Sequence, residues 1–331
     1  MSRAPRRQFL AAAGALLAAP LHVFAQQAVA TMPRIGFLGV STPAAWAPRI
    51  DAFRAGLRDL GYVEGKNILI EFRFAEGKYD RLPELAAELV RLKVDVIVTH
   101  SAPGALAAKQ ATGTNPIPVV MTNIGDPVAL GLVASLARPG GNITGDTFFV
   151  SELAAKRLDV LKDAIPRVRR VAILLNPDNP AMGQYVQALE IAARNLNVTL
   201  LMCHARDPAD LDGAFAAMAK DGVDALSVIE DVVFIASFKK IAELAARHRL
   251  PSISFLEYAD AGGLFGYGAN YLALYRRVPV FVDKILKGAK PADIPIERAT
   301  TFEFVINMKT AKALALTVPS AIRLRADRVI D

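Results

Sequence analysis

The feature that most constrains this chain is a rhythm. Short apolar runs alternate with stretches whose apolar residues recur at helical spacing, and the series occurs twice. Arg34–Val40 (RIGFLGV) reads as a strand buried on both faces. Ile50, Phe53, Leu57 and Leu60 mark a helix that Gly61 stops. The strand Ile68–Phe74, the helical face of Leu82, Leu85, Ala86, Leu89 and Val90, and the strand Val94–Thr99 follow. Ser101 is the expected N-cap of the next helix, with Pro103 in its first turn. Pro118–Thr122 is a fourth strand, and Asp126-Pro127 is expected to open a further helical piece. After a helix over Glu152–Ile165 the pattern restarts, with strands at Arg170–Leu175, Val198–Cys203, Ala225–Ile229, Pro251–Ser254 and Leu264–Tyr267. Leu92–Ser101 and Gly222–Asp231 occupy equivalent third-strand places, so the halves share a plan. Strands alternating with helices predict an α/β chain with two similar domains, each a parallel sheet covered by helices on both faces.

The tail bears on topology. Asn270–Leu286 reads as a helix, Phe302–Ile306 as a strand and Met308–Leu316 as a helix, with a Lys/Gly/Pro linker at 287–291. A segment this long after the second domain is expected to cross back to the first and then return. The expected boundaries are 34–147 plus 272–293 for lobe 1 and 148–271 plus 294–331 for lobe 2. Several hinge strands joining two lobes suit closure around a ligand.

The N-terminus has the form of an export signal. A basic start with Arg6-Arg7 before Phe9-Leu10, an Ala-rich apolar run, and Val23 and Ala25 before Gln26 give a twin-arginine-like signal peptide over 1–25. A membrane anchor is the competing reading, weakened by the short run, Pro20 and the cleavage site. Removing these residues takes Arg3, Arg6 and Arg7 and no acid, lowering the formal charge of +7 by three to +4. That mild, unclustered charge makes nucleic acid a poor partner. The single cysteine, Cys203, excludes an internal disulfide and a Cys-cluster zinc site. It reads as strand packing.

No motif for catalysis, metal or cofactor is present: no G-x-S-x-G, P-loop, H-E-x-x-H or strand-following G-x-G-x-x-G. No catalytic residue, metal site or cofactor is therefore expected. His100 ends a strand, a site-like place, though a lone histidine there is more often a structural one. The sequence does place small and polar residues at strand C-termini, where open α/β sheets bind ligands. The first half offers Ser41, Thr42, Ser101, Ala102, Asn123 and Asp126. The second offers Asn176, Asp178, Asp231 and the turn at Tyr267, Gly268 and Asn270. Helix N-termini there favour a ligand carboxylate. Asp231 is a candidate partner for an ammonium, and Trp46 and Tyr185 are candidate stacking walls. Each has a plainer reading: Ser41, Ser101 and Asp231 as helix caps, Asn176 and Asp178 as turn formers, Trp46 as cover for a core edge, and Tyr267 as packing.

Longer stretches carry a resemblance. Phe53–Asn67 (FRAGLRDLGYVEGKN), Ile124–Gly145 (IGDPVALGLVASLARPGGNITG), Tyr275–Pro295 and Phe302–Pro319 are similar to ABC-transporter substrate-binding proteins of the tryptophan- and tyrosine-carrier type. The likeness spans essentially the whole chain. It implies two Rossmann-like lobes with parallel sheets joined by hinge strands, the type I periplasmic-binding-protein architecture, with a small ligand in the interlobe cleft. It also implies ligand loops at Ser41-Thr42, Ser101-Ala102, Asn123, Asn176, Asp231 and Tyr267-Gly268. The partners it implies are a membrane permease and ATPase, with the carrier in the periplasm and no chemistry done on the ligand. A periplasmic ligand sensor for a receptor kinase, or an enzyme on the same fold, are the alternatives.

Overall fold

A computed structural model describes residues 32–114 and 116–331; the signal read at 1–25 lies outside them. The first series runs β1 (Arg34–Gly39), α1 (Pro43–Asp59), β2 (Leu69–Phe74), α2 (Leu82–Arg91), β3 (Val96–His100), α3 (Ser101–Ala111), β4 (Val119–Ile124) and β5 (Ile143–Thr147). The second runs α4 (Val150–Ala164), β6 (Arg170–Leu175), α5 (Met182–Leu196), β7 (Thr199–His204), α6 (Leu211–Lys220), β8 (Ala225–Val228), α7 (Val232–Ala236), α8 (Phe238–Arg247), β9 (Ser252–Ser254), α9 (Glu257–Asp260) and β10 (Phe265–Gly268). The tail adds α10 (Tyr271–Leu286), β11 (Glu297–Arg298), β12 (Glu303–Asn307), α11 (Met308–Ala313), α12 (Ser320–Arg323) and β13 (Arg328–Ile330).

These elements build two sheets. The first has the order β11-β5-β4-β3-β1-β2 and is parallel throughout. The second has the order β13-β12-β10-β9-β8-β6-β7, parallel except where β12 runs against β10. Central strands are apolar because both faces are covered: Ile35, Phe37 and Leu38 of β1 and Val171 to Leu174 of β6 are buried. Burial of such apolar surface is the main driving force for each lobe.

The tail returns to the first sheet. Helix α10 packs along α1 and against β4 and β5. Its close approach requires Gly56, where a Cβ would lie 2.1 Å from the Arg276 carbonyl oxygen. Strand β11 then pairs with β5, Glu297 opposite Asp146, before β12 joins the second sheet. Residues up to 298 thus belong with the first sheet, which corrects the expected end of the returning segment at 293: the short β11 has too little apolar content to announce itself. The chain passes between the sheets after β5, after β10 and after β11.

Two local expectations are also corrected. The piece after Asp126 is a series of turns rather than a helix, with Asp126 Oδ1 accepting from the Val128 and Ala129 amides. Ser101 does not cap α3; it is the helix's first residue, in a left-handed conformation (φ 58°), and its hydroxyl donates to the His100 carbonyl.

Candidate ligand cleft

The C-terminal ends of the two sheets face one another across a narrow cavity. The first lobe contributes Trp46 from α1, His100, Ser101 and Ala102 from the β3–α3 junction, and Asn123 and Gly125 from the end of β4. The second contributes Asn179, Ala181 and Tyr185 around the start of α5, and Glu230, Asp231, Val232 and Ile235 around the start of α7. Phe148 and Tyr271, one from each of two interlobe crossings, close the hinge side with rings 5.5 Å apart.

The first-lobe wall is an aromatic stack. Trp46 is fully buried and lies on the His100 ring, centroids 4.3 Å apart at 15°. Its indole N–H donates to the Tyr275 hydroxyl (2.8 Å). The Arg49 guanidinium lies 4.5 Å from the Trp46 ring centroid, a cation–π contact. His100 Nε2 accepts the Val40 amide (3.0 Å), so the neutral ring carries its proton on Nδ1, which has no partner in the protein. Burial, aided by the nearby Arg49 charge, pushes the His100 pKa down to about 3. The ring is therefore a neutral donor at any physiological pH.

Asn123 occupies a bulge. The β4–β5 register shifts between Met121 and Ile124, and Asn123 takes a left-handed conformation (φ 59°). Its buried Oδ1 has no partner in the protein. Bulges and left-handed non-glycine residues cluster where a side chain must be re-aimed.

The second-lobe wall is held by two carboxylates. Glu230 forms a two-pronged pair with Arg157, with Nη1 at 2.7 Å from Oε2, and Arg157 Nε donates to the Tyr267 carbonyl (2.8 Å). Arg157 is fully buried, so this pair ties the ends of β8 and β10 together away from solvent. Asp231 caps α7 through the Val233 amide (3.0 Å). It also accepts from Asn176 (3.3 Å), Asn179 (2.9 Å) and, from the first lobe, the Tyr79 hydroxyl (2.7 Å). Burial raises its pKa, an effect opposed by these donors. Four donors use the acceptor capacity of both oxygens, so Asp231 closes the cleft and is not left free for an ammonium, as the sequence reading had it. A second contact between lobes joins Arg49 to Glu257 of α9 (3.0 Å).

Of the residues singled out from sequence, Trp46, Ser101, Ala102, Asn123, Tyr185 and Asp231 line the cavity. Asn176 stands behind it, bonded to Asp231 and to the Asp178 amide. The others lie elsewhere. Thr42 caps α1. Ser41 is buried, with its carbonyl accepting the Glu76 amide. Asp126 holds its turn, and Asp178 pairs with Arg206 at the surface. The Tyr267 ring packs on Phe304, and a Cβ on Gly268 would press on Arg157 and Phe255. Asn270 caps α10 and bonds to Glu303 on the hinge side. The sequence reading missed Arg49, Tyr79, Phe148, Asn179, Glu230 and Tyr271. Asn179 and Glu230 adjoin residues it had singled out at strand ends; the rest had no local signal.

Among the described residues, no group of three or more His, Cys, Asp or Glu is placed to hold a metal ion, and no helix is long and apolar enough to cross a membrane.

Two α/β lobes with a shared cleft at the ends of their sheets make the type I periplasmic-binding architecture. Residues 39–330 match the family model described as ABC transporter substrate binding protein, and the chain belongs to that family. It is 29% identical over 283 residues to a tyrosine-binding protein of Clostridioides difficile, covering 84% of this chain and 81% of that one. It is similar to a Streptococcus pneumonia ABC domain in complex with L-Trp (TM-score 0.83, 25% identity, 90% of this chain and 99% of the other). The match to the ligand-free, open form of a Clostridium difficile substrate binding protein with adhesive properties is looser: TM-score 0.64 at 26% identity and the same coverage. The better fit to the ligand complex accords with the two contacts across the cleft.

Proposed function

We propose that this chain is the exported solute-binding component of an ABC importer and that it holds a small amino acid or carboxylate, aromatic in character, between its lobes. The observation that carries this reading is the composition of one cavity. Trp46 from the first lobe, Phe148 and Tyr271 from the crossings and Tyr185 from the second lobe surround it with aromatic surface. Polar atoms without protein partners stand among them: the His100 Nδ1–H donor and the Asn123 Oδ1 acceptor. A carboxylate meets the donor and the first backbone amides of α3, which have no partner within the helix; an ammonium meets the acceptor. The named ligands of the relatives, tyrosine and tryptophan, have both groups and an aromatic ring.

Closure around the ligand is the signal that a permease and its ATPase read. The sequence at 1–25 supplies export to the periplasm. The family description, a substrate binding protein, supports a ligand that leaves unaltered.

Calorimetric titration of the chain starting at Gln26 with L-tryptophan, L-tyrosine, L-phenylalanine and simple aryl carboxylates tests the reading. Saturable one-to-one binding, with a smaller radius of gyration in the complex, is expected. A protein that binds none of them overturns it.

A further inference from the structure

Asp146 is a buried acid that the binding reading does not use. It lies on β5, 2% exposed, directly behind the bulge that carries Asn123. Its Oδ1 accepts two hydrogen bonds from that bulge, from the Thr122 hydroxyl (3.0 Å) and the Asn123 amide (3.2 Å). Its Oδ2 is buried and has no partner. The preceding residue, Gly145, has φ 137°, and a Cβ there would lie 1.8 Å from the Met121 carbonyl oxygen. The backbone is thus pressed against β4 at the point where the carboxyl meets Asn123.

We propose that Asp146 is a proton-responsive positioning residue for the cleft: its carboxylate holds the Asn123 amide, and with it the left-handed bulge that presents the Asn123 side chain to the ligand. An ionised carboxylate is the stronger acceptor, because charge-assisted hydrogen bonds are roughly twice as strong as neutral ones. Loss of the charge loosens the bulge and lowers affinity.

The surroundings set the range of this response. Burial pushes the Asp146 pKa up to about 7, against the two hydrogen bonds that lower it and with the Glu297 charge that raises it. Glu297 faces Asp146 from β11 and is itself held by Arg277 of α10 (2.9 Å). Arg298 of β11 is turned to Glu152 and the Phe149 ring. Tyr275, also on α10, has its hydroxyl engaged by Trp46. The turn at Pro291–Asp293 packs at the far end of β5, where Thr144 bonds to the Ile294 carbonyl. No cation bonds to Asp146 among the described residues.

The proposal rests on the cleft reading for its effect on affinity, but one of its tests does not. In the ligand-free chain, the Asn123 amide resonance should titrate with a midpoint near 7, and Asp146→Asn should abolish the titration. An Asn123 amide that does not move between pH 5.5 and 8.5 overturns the proposal. For affinity, L-tryptophan binding is measured between pH 6 and 8, where neither charged group of the free amino acid titrates. The expected result is an affinity that rises about fivefold with pH in the wild type, on the scale of one strengthened hydrogen bond. Asp146→Asn keeps the Oδ1 acceptor and mimics the protonated acid. It should bind with a pH-independent affinity equal to that of the wild type at pH 6. A wild-type affinity that is flat, or a variant that keeps the slope, overturns the proposal. If no amino acid binds at any pH, the functional reading fails, and the amide titration still decides the proposal.

Discussion

The Tyr79 hydroxyl donates a 2.7 Å hydrogen bond to Asp231 Oδ2, and the two residues stand on opposite lobes. Tyr79 begins the short turn after β2, and Asp231 caps α7 at the end of β8. Burial, then the neighbouring Asp231 charge, holds the phenol well above its ordinary pKa, so it stays a donor throughout the accessible range. The bond exists only when the lobes meet, so its energy counts toward the closed form alone.

Tyr79→Phe removes that donor and leaves the other three on Asp231 in place. A hydrogen bond to a carboxylate is worth about 1.5 kcal/mol. Ligand affinity should therefore fall roughly tenfold. The unfolding midpoint of the free protein should change little, because Asn176, Asn179 and the Val233 amide keep the carboxylate satisfied. Calorimetry and thermal unfolding of the same preparation separate the two effects. Unchanged affinity would show that the contact does not favour closure.

Arg49 joins the ligand wall to the opposite lobe, lying over Trp46 and reaching Glu257. The Arg49 side chain is 6% exposed and that of Glu257 34%, so solvent partly screens the pair. A double-mutant cycle of Arg49→Met and Glu257→Gln, read by ligand affinity, should give a coupling of about 1 kcal/mol. Arg49→Met should cost more than Glu257→Gln, since it also removes the cation–π contact. A coupling of zero would assign Arg49 to the Trp46 wall alone.

The sheets were readable because buried strands leave continuous apolar runs and helices leave their own period. The site was readable only in part, for a physical reason. Thr42, Asp126 and Asn270 satisfy backbone amides at turns and helix starts, and that chemistry draws on the same small polar residues as ligand binding. Nothing local separates them from Asn123, whose acceptor has no protein partner. Arg49, Tyr79 and Tyr271 reach the cleft region only through tertiary structure. Tyr271 follows an interlobe crossing, and its place depends on α10 returning to α1. Asp231 was legible as a cap at a strand end, but its bond to Tyr79 spans 152 positions of sequence.

The Arg157–Glu230 pair carries a stability prediction distinct from the binding ones. Both groups are buried, and the Tyr267 carbonyl accepts the Arg157 Nε–H. Removing one partner of such a pair leaves a buried charge unmatched, at about 3–5 kcal/mol. Glu230→Gln should lower folding stability by that amount in urea unfolding. Replacing both residues with apolar ones of similar size should cost much less, because the desolvation cost goes with the charges. If the single and double replacements are equally damaging, packing rather than charge pairing is what the site needs.

Two buried groups give the free protein opposing pH dependences. His100 has its pKa depressed from 6.5 to about 3. Between those values the unfolded chain binds the proton and the folded one does not, so this contribution falls as pH drops from 6.5 toward 3. Asp146 has its pKa raised from 3.8 to about 7. Between those values the folded chain holds the proton more tightly, so this contribution falls as pH rises from 4 to 7 and stays lost above. Asp146→Asn removes only the second effect. The variant should match the wild type at pH 4, gain on it steadily to pH 7, and be more stable by on the order of 4 kcal/mol at pH 8. Below pH 6.5 the variant should lose stability on acidification more steeply than the wild type, because the opposing Asp146 contribution is gone. Urea unfolding at pH 4.5, 6 and 8 checks both, and the His100 ring resonances should stay in the neutral position across that range. A stability difference that is the same at every pH would mean that Asp146 keeps one protonation state throughout.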